Sequence, residues 1–135
     1  MTVIAHDAKQ LSPVAFIART IISLGLSGRL PTTSWFQEVL DIGSGTVQKA
    51  LQELKKDGAV NLVSRGHQGT FVVSWDFPTL WDAARMPPVH ILLPPGGSLE
   101  ATQVASAFVQ QSECWGVVTT VGYLRGARSR LAAFE

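Results

Sequence analysis

The segment from Ser44 to Val73 constrains the fold of this chain more than any other, because a helical pattern runs directly into a hairpin pattern. Apolar side chains recur there with the i, i+3, i+4, i+7 spacing of a helix that buries one face: Val47, Ala50, Leu51 and Leu54. Gly58 follows as the expected C-terminal stop. Two β-branched or apolar runs, 60–63 and 70–73, then flank a loop with glycines, which predicts a hairpin.

Two further helices are predicted before this segment. Ser12 and Pro13 supply an N-cap hydroxyl and a proline at the first helical position, ahead of an apolar stripe: Val14, Ile17, Ala18 and Ile21. Residues 29–33 form an extended approach and a second N-cap, followed by a short helix with Phe36, Val39 and Leu40 inward. A glycine-rich turn, 41–45, ends in the Ser44 hydroxyl, which can cap the third helix. Three short helices followed by a hairpin are the order of a winged helix-turn-helix.

The second half has a different pattern. A strand at 89–93, a helix at 99–111, a β-rich run at 115–123 and a basic helical tail after it form a strand-helix-strand unit. The predicted inward side chains of that helix are Val104, Ala105, Phe108 and Val109. We therefore expect an α+β fold with three parts: a winged helix-turn-helix at 1–75, a linker at 76–88, and a small α/β segment at 89–135.

Composition limits the class of protein. Of 135 residues, 46% are hydrophobic and 16% charged, which is typical of a globular protein rather than of a disordered chain. No stretch of uncharged apolar residues is long enough to cross a membrane. Residues 1–10 contain His6, Asp7 and Lys9, where a secretory signal has an uninterrupted apolar stretch. We therefore expect a cytoplasmic protein with no membrane partner.

Cysteine and histidine usage gives no sign of metal or redox chemistry. Cys114 is the single cysteine, which excludes an intramolecular disulfide, and we expect a half-buried thiol next to Trp115. The histidines, His6, His67 and His90, lie far apart in the sequence. No paired carboxylates, nucleophile-base motif or phosphate-binding loop is visible. We expect no catalytic, cofactor-binding or metal-binding residues, and no enzymatic activity.

The predicted outward face of the third helix carries hydrogen-bonding side chains and cations. A DNA major groove admits a helix that presents such side chains from its first turns while its back packs on a small support. Ser44, Thr46 and Gln48 lie where base edges or flanking phosphates are reached, and glutamine can pair with adenine through two hydrogen bonds. Lys49 and Lys56 suit phosphates. The alternative is an ordinary solvated face, which this helix taken alone fits better.

The predicted hairpin loop adds a second surface. Arg65 and His67 project from a tip that Gly66 and Gly69 make thin enough for the backbone to approach a duplex closely. An ordinary surface turn is the alternative. The predicted DNA contacts of the tip are Arg65, Gly66, His67 and Gln68.

From Gly28 to Val72 the chain resembles the GntR-type winged helix-turn-helix regulators. The matching features, in order, are Gly28-Arg29-Leu30-Pro31-Thr32, Thr46-Val47, Ala50-Leu51 with Leu54, Gly58-Ala59-Val60 and Gly69-Thr70-Phe71-Val72. The stretch 64–71, SRGHQGTF, is similar to the YhfZ-like branch. The resemblance implies a transcription regulator that binds double-stranded DNA as a homodimer on a two-fold related operator. It adds four residues to the predicted DNA contacts: Arg29, Thr32, Ser34 and Gly45.

The chain departs from this family at three of the predicted contacts. Family members carry arginines where this sequence has Ser34, Ser44 and Gln48. Without these arginines the chain lacks side chains that bind guanine edges and phosphates. We therefore expect either an operator richer in adenine or weaker binding.

Such regulators continue into an effector-binding domain, which in the YhfZ-like branch resembles a much longer periplasmic binding protein. Only 62 residues follow Val73. The C-terminal half is therefore expected to be a truncated effector-binding or dimerisation domain, or one that two chains complete together. A small-molecule effector bound to this half stays open as an alternative.

Charge favours a second hypothesis for the whole chain. The net charge is +1, with seven Lys and Arg against five Asp and Glu in residues 1–73 and four against five in residues 74–135. This asymmetry is mild for a nucleic-acid binder, and arginine is sparse. The alternative function is a protein–protein interaction module that uses a winged-helix scaffold without specific DNA binding.

Overall fold

The computed structural model describes residues 10–134, which divide into two compact units at the bond between Met86 and Pro87. Residues 1–9 and Glu135 lie outside the described residues. Two predictions fall partly on them: the absence of a secretory signal in residues 1–10, and the outer ends of the ranges 1–75 and 89–135. The described chain combines helices with two two-stranded sheets, one antiparallel and one parallel, which confirms the α+β fold class. No helix between residues 10 and 134 has the length and hydropathy needed to span a membrane.

The first unit begins with three helices, α1 (Pro13–Leu24), α2 (Thr33–Leu40) and α3 (Ser44–Lys56). Their beginnings follow from local chemistry. The hydroxyls of Ser12 and Thr32 accept hydrogen bonds from backbone N–H groups three residues later, each at 3.2 Å. The predicted Ser44 cap is wrong: Gly43 is the N-cap of α3 and has no side chain to offer, while Ser44 is already helical.

The core of the first unit forms where α1 and α2 pack on α3. Phe16, Phe36 and Leu54, one from each helix, are fully buried, and the two phenylalanine rings meet edge to face with centroids 6.4 Å apart. Of the predicted stripe on α3, Val47 and Ala50 are also buried and Leu51 is partly buried. The periodicity therefore identified the buried side of α3 correctly.

A hairpin wing follows α3. Strands β1 (Val60–Ser64) and β2 (Thr70–Trp75) pair antiparallel around a single 3-10 turn, Gly66–Gln68. Residues 27–30 extend this sheet along β2, because the Leu30 N–H donates to the Thr70 carbonyl at 2.7 Å and the Val72 N–H to the Gly28 carbonyl at 3.0 Å. The approach to α2 is thereby fixed to the wing.

Of the segment predicted as a linker, 76–88, residues 76–86 belong to the first unit. They include helix α4 (Phe77–Ala83), which packs against α1. Leu80 and Ala84 are fully buried in the core of this unit. Arg19 of α1 fixes the end of α4 by donating to the carbonyls of Ala84 at 2.9 Å and Arg85 at 3.1 Å. The flanking prolines mark the ends of the segment but do not separate it from the core.

The second unit contains β3 (Val89–Leu93), α5 (Leu99–Trp115), β4 (Thr119–Tyr123) and α6 (Ala127–Ala132). Strands β3 and β4 pair in parallel, as a strand-helix-strand unit requires. Three expectations need correction here. Trp115 ends a helix rather than starting a strand, and Cys114 is exposed rather than half-buried. Val104 and Phe108 are 63% and 41% exposed, because α5 turns mainly Ala105 and Ser112 inward.

Candidate nucleic-acid interface

The side of α3 opposite its buried stripe is free. All twelve predicted DNA contacts are exposed: Arg29, Thr32, Ser34, Ser44, Gly45, Thr46, Gln48, Lys49, Arg65, Gly66, His67 and Gln68. Packing accounts for the apolar face of α3 and leaves its amides, hydroxyls and cations in solvent. The roles of these residues in binding DNA stay predictions.

The start of α3 is open to a large ligand. A short turn, Asp41–Gly43, connects it to α2, and Asp41 adopts a left-handed conformation with φ of 54°. A Cβ atom added at Gly43 or Gly45 would meet no other atom within 4 Å. The first turn of α3 contains no acidic residue. The unshielded N–H groups and the helix dipole therefore favour negative charge at this end.

The wing tip is a small, ordered structure. The Arg65 N–H donates to the Gly69 carbonyl at 2.8 Å and closes the loop around the 3-10 turn. The Arg65 guanidinium lies over the Phe71 ring, 4.8 Å from its centroid. His67 and Gln68 are exposed in the turn itself. The tip therefore presents its polar side chains from a fixed backbone.

Arg29 belongs to the wing as well as to the approach to α2. Its backbone pairs with Phe71, and its side chain lies so close to Gly69 that a Cβ atom there would be 2.6 Å from the Arg29 Nε. Thr32 and Ser34 lie at the start of α2, and Thr32 also serves as its cap. The structure thus brings Arg29 to the wing, whose tip carries four more of the predicted contacts, while the rest lie at the start of α2 or on α3, and these two helices pack on each other.

Gly69 is a structural residue of the site that the predicted contacts left out. Its φ of +100° is one that residues with a Cβ rarely adopt, and Arg29 occupies the space beside it. The sequence signal was present, because a glycine just before a strand often marks such a position.

Replacement of Gly69 by alanine is expected to lower the free energy of unfolding by about 1–2 kcal/mol through backbone strain. Gly45→Ala is the matched control, because Gly45 lies in the first turn of α3 with open space around it, and alanine there favours the helix. Urea unfolding followed by tryptophan fluorescence measures both. Equal behaviour of the two variants would contradict the role of Gly69.

Acidic side chains limit the surface at the other end of α3. An open cleft of about 650 Å³ in the first unit is lined by Glu53 and Asp57 from the end of this helix, together with Asp82 and Arg85. A phosphate backbone is repelled there. The cations of α3 lie at different distances from this acidic end. Lys49 is in the half of the helix that begins at the open N-terminus, whereas Lys55 and Lys56 are in the last turn.

The second unit offers a separate cleft of about 370 Å³. Its lining includes His90, Leu92, Thr120 and Phe134, and the His90 Nδ1 shares a hydrogen bond with the Thr120 hydroxyl. Across residues 10–134, no three His, Cys, Asp or Glu side chains are grouped so that they could hold a metal ion.

Comparisons with known proteins agree with the geometry of the first unit. No curated protein and no solved structure matches the chain. A family model described as a helix-turn-helix domain matches residues 27–72, from the strand-like approach of α2 to the second strand of the wing. This part of the chain is therefore similar to a helix-turn-helix domain, which suggests DNA binding.

Proposed function

We propose that the chain is a sequence-specific transcription regulator of GntR type, close to the YhfZ-like branch. In this proposal it is not an enzyme, acts in the cytoplasm and binds a two-fold related operator as a homodimer. The observation that carries the proposal is the free polar side of α3, within a segment that matches a helix-turn-helix domain. A helix whose apolar face is packed and whose polar face is unobstructed suits a DNA major groove.

In this proposal some exposed side chains position the protein on the DNA backbone, and others recognise the base sequence. Lys49, Arg29 and Arg65 are exposed cations that suit phosphates, which fix the protein on the duplex. Gln48 lies in the second turn of α3, on the flank of its outward face, and suits an adenine edge. Ser34 and Ser44 stand where members of this family have arginines. The proposed operator is therefore either richer in adenine or bound more weakly.

Salt dependence tests DNA binding itself. Fluorescence anisotropy of the full chain with labelled genomic fragments, measured from low to moderate salt, should show affinity that falls with a log–log slope of about 0.9 per phosphate contacted. Selection of bound sequences from a random pool then gives the operator. Affinity that ignores salt, or the absence of binding at low salt, would contradict the proposal.

Variants of α3 separate the two roles. Lys49→Ala should weaken binding to every sequence alike and reduce the salt slope by about 0.9, whereas Gln48→Ala should cost about 1–3 kcal/mol at a single base pair only. Lys55→Ala is the matched control: it removes the same charge about 9 Å further along the helix, at about 1.5 Å per residue. The Lys55 side chain lines a separate cleft beside β1 and β2. Anisotropy against operator variants distinguishes all three, and the reverse pattern would refute the assigned roles.

The alternative is a protein–protein interaction module built on the same scaffold. The observation that favours it is the exposed apolar side of α5, where Val104, Phe108 and Trp115 are 63%, 41% and 48% exposed. The anisotropy measurement at low salt decides between the two functions, because a module without DNA binding gives no signal. An effector of the second unit stays a proposal, and its cleft beside His90 is the place to test it.

A further inference from the structure

Phe71 is a large aromatic residue of the wing that lies outside the core of the first unit. It belongs to β2 and is half-buried. Within the described chain it is neither one of the buried core residues nor one of the partly buried side chains that pack against them. The next residue, Val72, is buried in that core. Core packing therefore does not account for a phenylalanine at this position.

The Phe71 ring contacts the side chain of Arg65 instead. The Arg65 Cζ lies 4.8 Å from the ring centroid, where the negative face of an aromatic ring attracts a guanidinium. The backbone of Phe71 is fixed on both sides, because it pairs with Val63 of β1 and with Arg29 of the approach to α2. The cation at the wing tip thus lies on a ring whose own strand is held within the sheet.

The ring contact leaves the N–H groups of the Arg65 side chain available. Between residues 10 and 134, no oxygen accepts a hydrogen bond from this guanidinium and no carboxylate pairs with it. The ring attracts the guanidinium through its charge, without using its N–H donors. The same guanidinium can therefore contact the ring and bind a phosphate, which it does with two parallel hydrogen bonds.

Restraint of a long side chain before binding makes its later contact stronger. A free surface arginine samples many rotamers, and fixing it against a phosphate removes that freedom at a cost in binding free energy. A side chain already restrained in the free protein loses less. This gain is important for this chain, because Arg29 and Arg65 are the only arginines among the predicted DNA contacts.

We propose that Phe71 is a positioning residue for DNA binding, whose ring holds the Arg65 guanidinium at the wing tip, ready for a phosphate of the duplex. Phe71 itself makes no contact with DNA in this arrangement. The inference rests on the proposed function, which supplies the DNA, and it assigns a role to a residue outside the predicted contacts.

The ring contact can be measured in the free full-length chain. Ring currents of Phe71 should move the NMR resonances of the Arg65 side chain upfield of those of an unrestrained arginine. Phe71→Leu should abolish this displacement, because leucine is apolar but has no ring, and Phe71→Tyr should preserve it. Arg65 resonances that match an unrestrained arginine in the unaltered chain would overturn the inference.

Fluorescence anisotropy with a labelled duplex at low salt measures the effect on DNA binding. Phe71→Leu should weaken binding by about 2–5-fold, as expected for an exposed cation–π contact. Phe71→Tyr should bind like the unaltered chain, and so should Val73→Leu, the matched control at an exposed position of the same strand. Affinity that Phe71→Leu leaves unchanged, or that Phe71→Tyr fails to restore, would contradict the role of the ring.

A double-mutant cycle separates positioning from general support of the wing. After Arg65→Ala, Phe71→Leu should weaken binding no further, because no guanidinium remains for the ring to hold. The matched cycle uses Arg29, which pairs with Phe71 through its backbone but has its side chain beside Gly69. The losses from Arg29→Ala and Phe71→Leu should multiply. An equal loss from Phe71→Leu with and without Arg65 would show that the ring supports the whole wing, and would overturn the inference.

Salt dependence distinguishes the residue that binds phosphate from the residue that positions it. Arg65→Ala should reduce the log–log slope by about 0.9, because one phosphate contact is lost. Phe71→Leu should leave the slope unchanged, since Arg65 still reaches the phosphate but loses more freedom when it binds. A slope that Arg65→Ala does not alter would refute the phosphate contact and the inference with it.

Failure of this inference and failure of the proposed function give different results. A chain that binds no duplex at low salt refutes the proposed function, and the role of Phe71 in DNA binding falls with it. A chain that binds duplex with the expected salt slope, but shows no coupling between Phe71 and Arg65, keeps the proposed function and overturns only the inference.

Discussion

Phe36→Ala should lower the free energy of unfolding by about 3–5 kcal/mol, the range found when a buried phenylalanine is truncated in a close-packed core. Phe36 is fully buried, and its ring meets Phe16 at 6.4 Å and Trp35 at 5.2 Å between centroids. It joins α2 to the core on which α3 rests. Because a recognition helix needs a rigid support, we expect this variant to lose DNA binding although Phe36 makes no contact with DNA.

Glu38→Ala is the control for Phe36→Ala, since Glu38 is on the same helix and exposed. Its effect on stability should stay within about 0.5 kcal/mol. Urea unfolding followed by tryptophan fluorescence measures stability, and anisotropy measures DNA binding. An unfolding midpoint of Phe36→Ala equal to that of Glu38→Ala would show that the aromatic cluster does not hold the first unit together.

Leu80→Ala is expected to cost about 2–5 kcal/mol of stability, the range for truncating a buried leucine. Leu80 is fully buried, although the sequence around it predicts a linker. A residue in a solvated linker would change stability by less than about 0.5 kcal/mol. The size of the effect therefore measures whether α4 belongs to the core of the first unit.

Asp82→Ala is the control for Leu80→Ala, because Asp82 is exposed on the same short helix. Limited proteolysis offers a second measurement: Leu80→Ala should expose the peptide bonds of 76–86 to cleavage, while Asp82→Ala should not. Rapid cleavage of this segment in the unaltered chain, with no stability change in Leu80→Ala, would contradict the packing of α4.

The candidate site could be predicted as far as its residues form local patterns. The exposed face of α3 follows from the position of its apolar stripe, because a helix that buries Val47, Ala50 and Leu54 must present the opposite side. The wing tip follows from its glycines and flanking strands. The position of Arg29 beside Gly69 could not be predicted in this way, since it depends on pairing between residues about 40 apart in sequence. The acidic cleft at the end of α3 was missed for the same reason, as Asp82 comes from α4.

The sequence by itself determined the order of the elements from α1 to β2 in the first unit, because caps, glycine stops and apolar periodicity act over a few residues. Only the tertiary structure decided which apolar surfaces are covered. Leu80 lies in a short, proline-flanked segment and is buried because α1 offers it a surface. Phe108 lies on a regular apolar stripe but stays 41% exposed, because its own unit covers it only in part. Periodicity shows that a helix has an apolar side, but burial of that side depends on a second surface from a distant part of the chain.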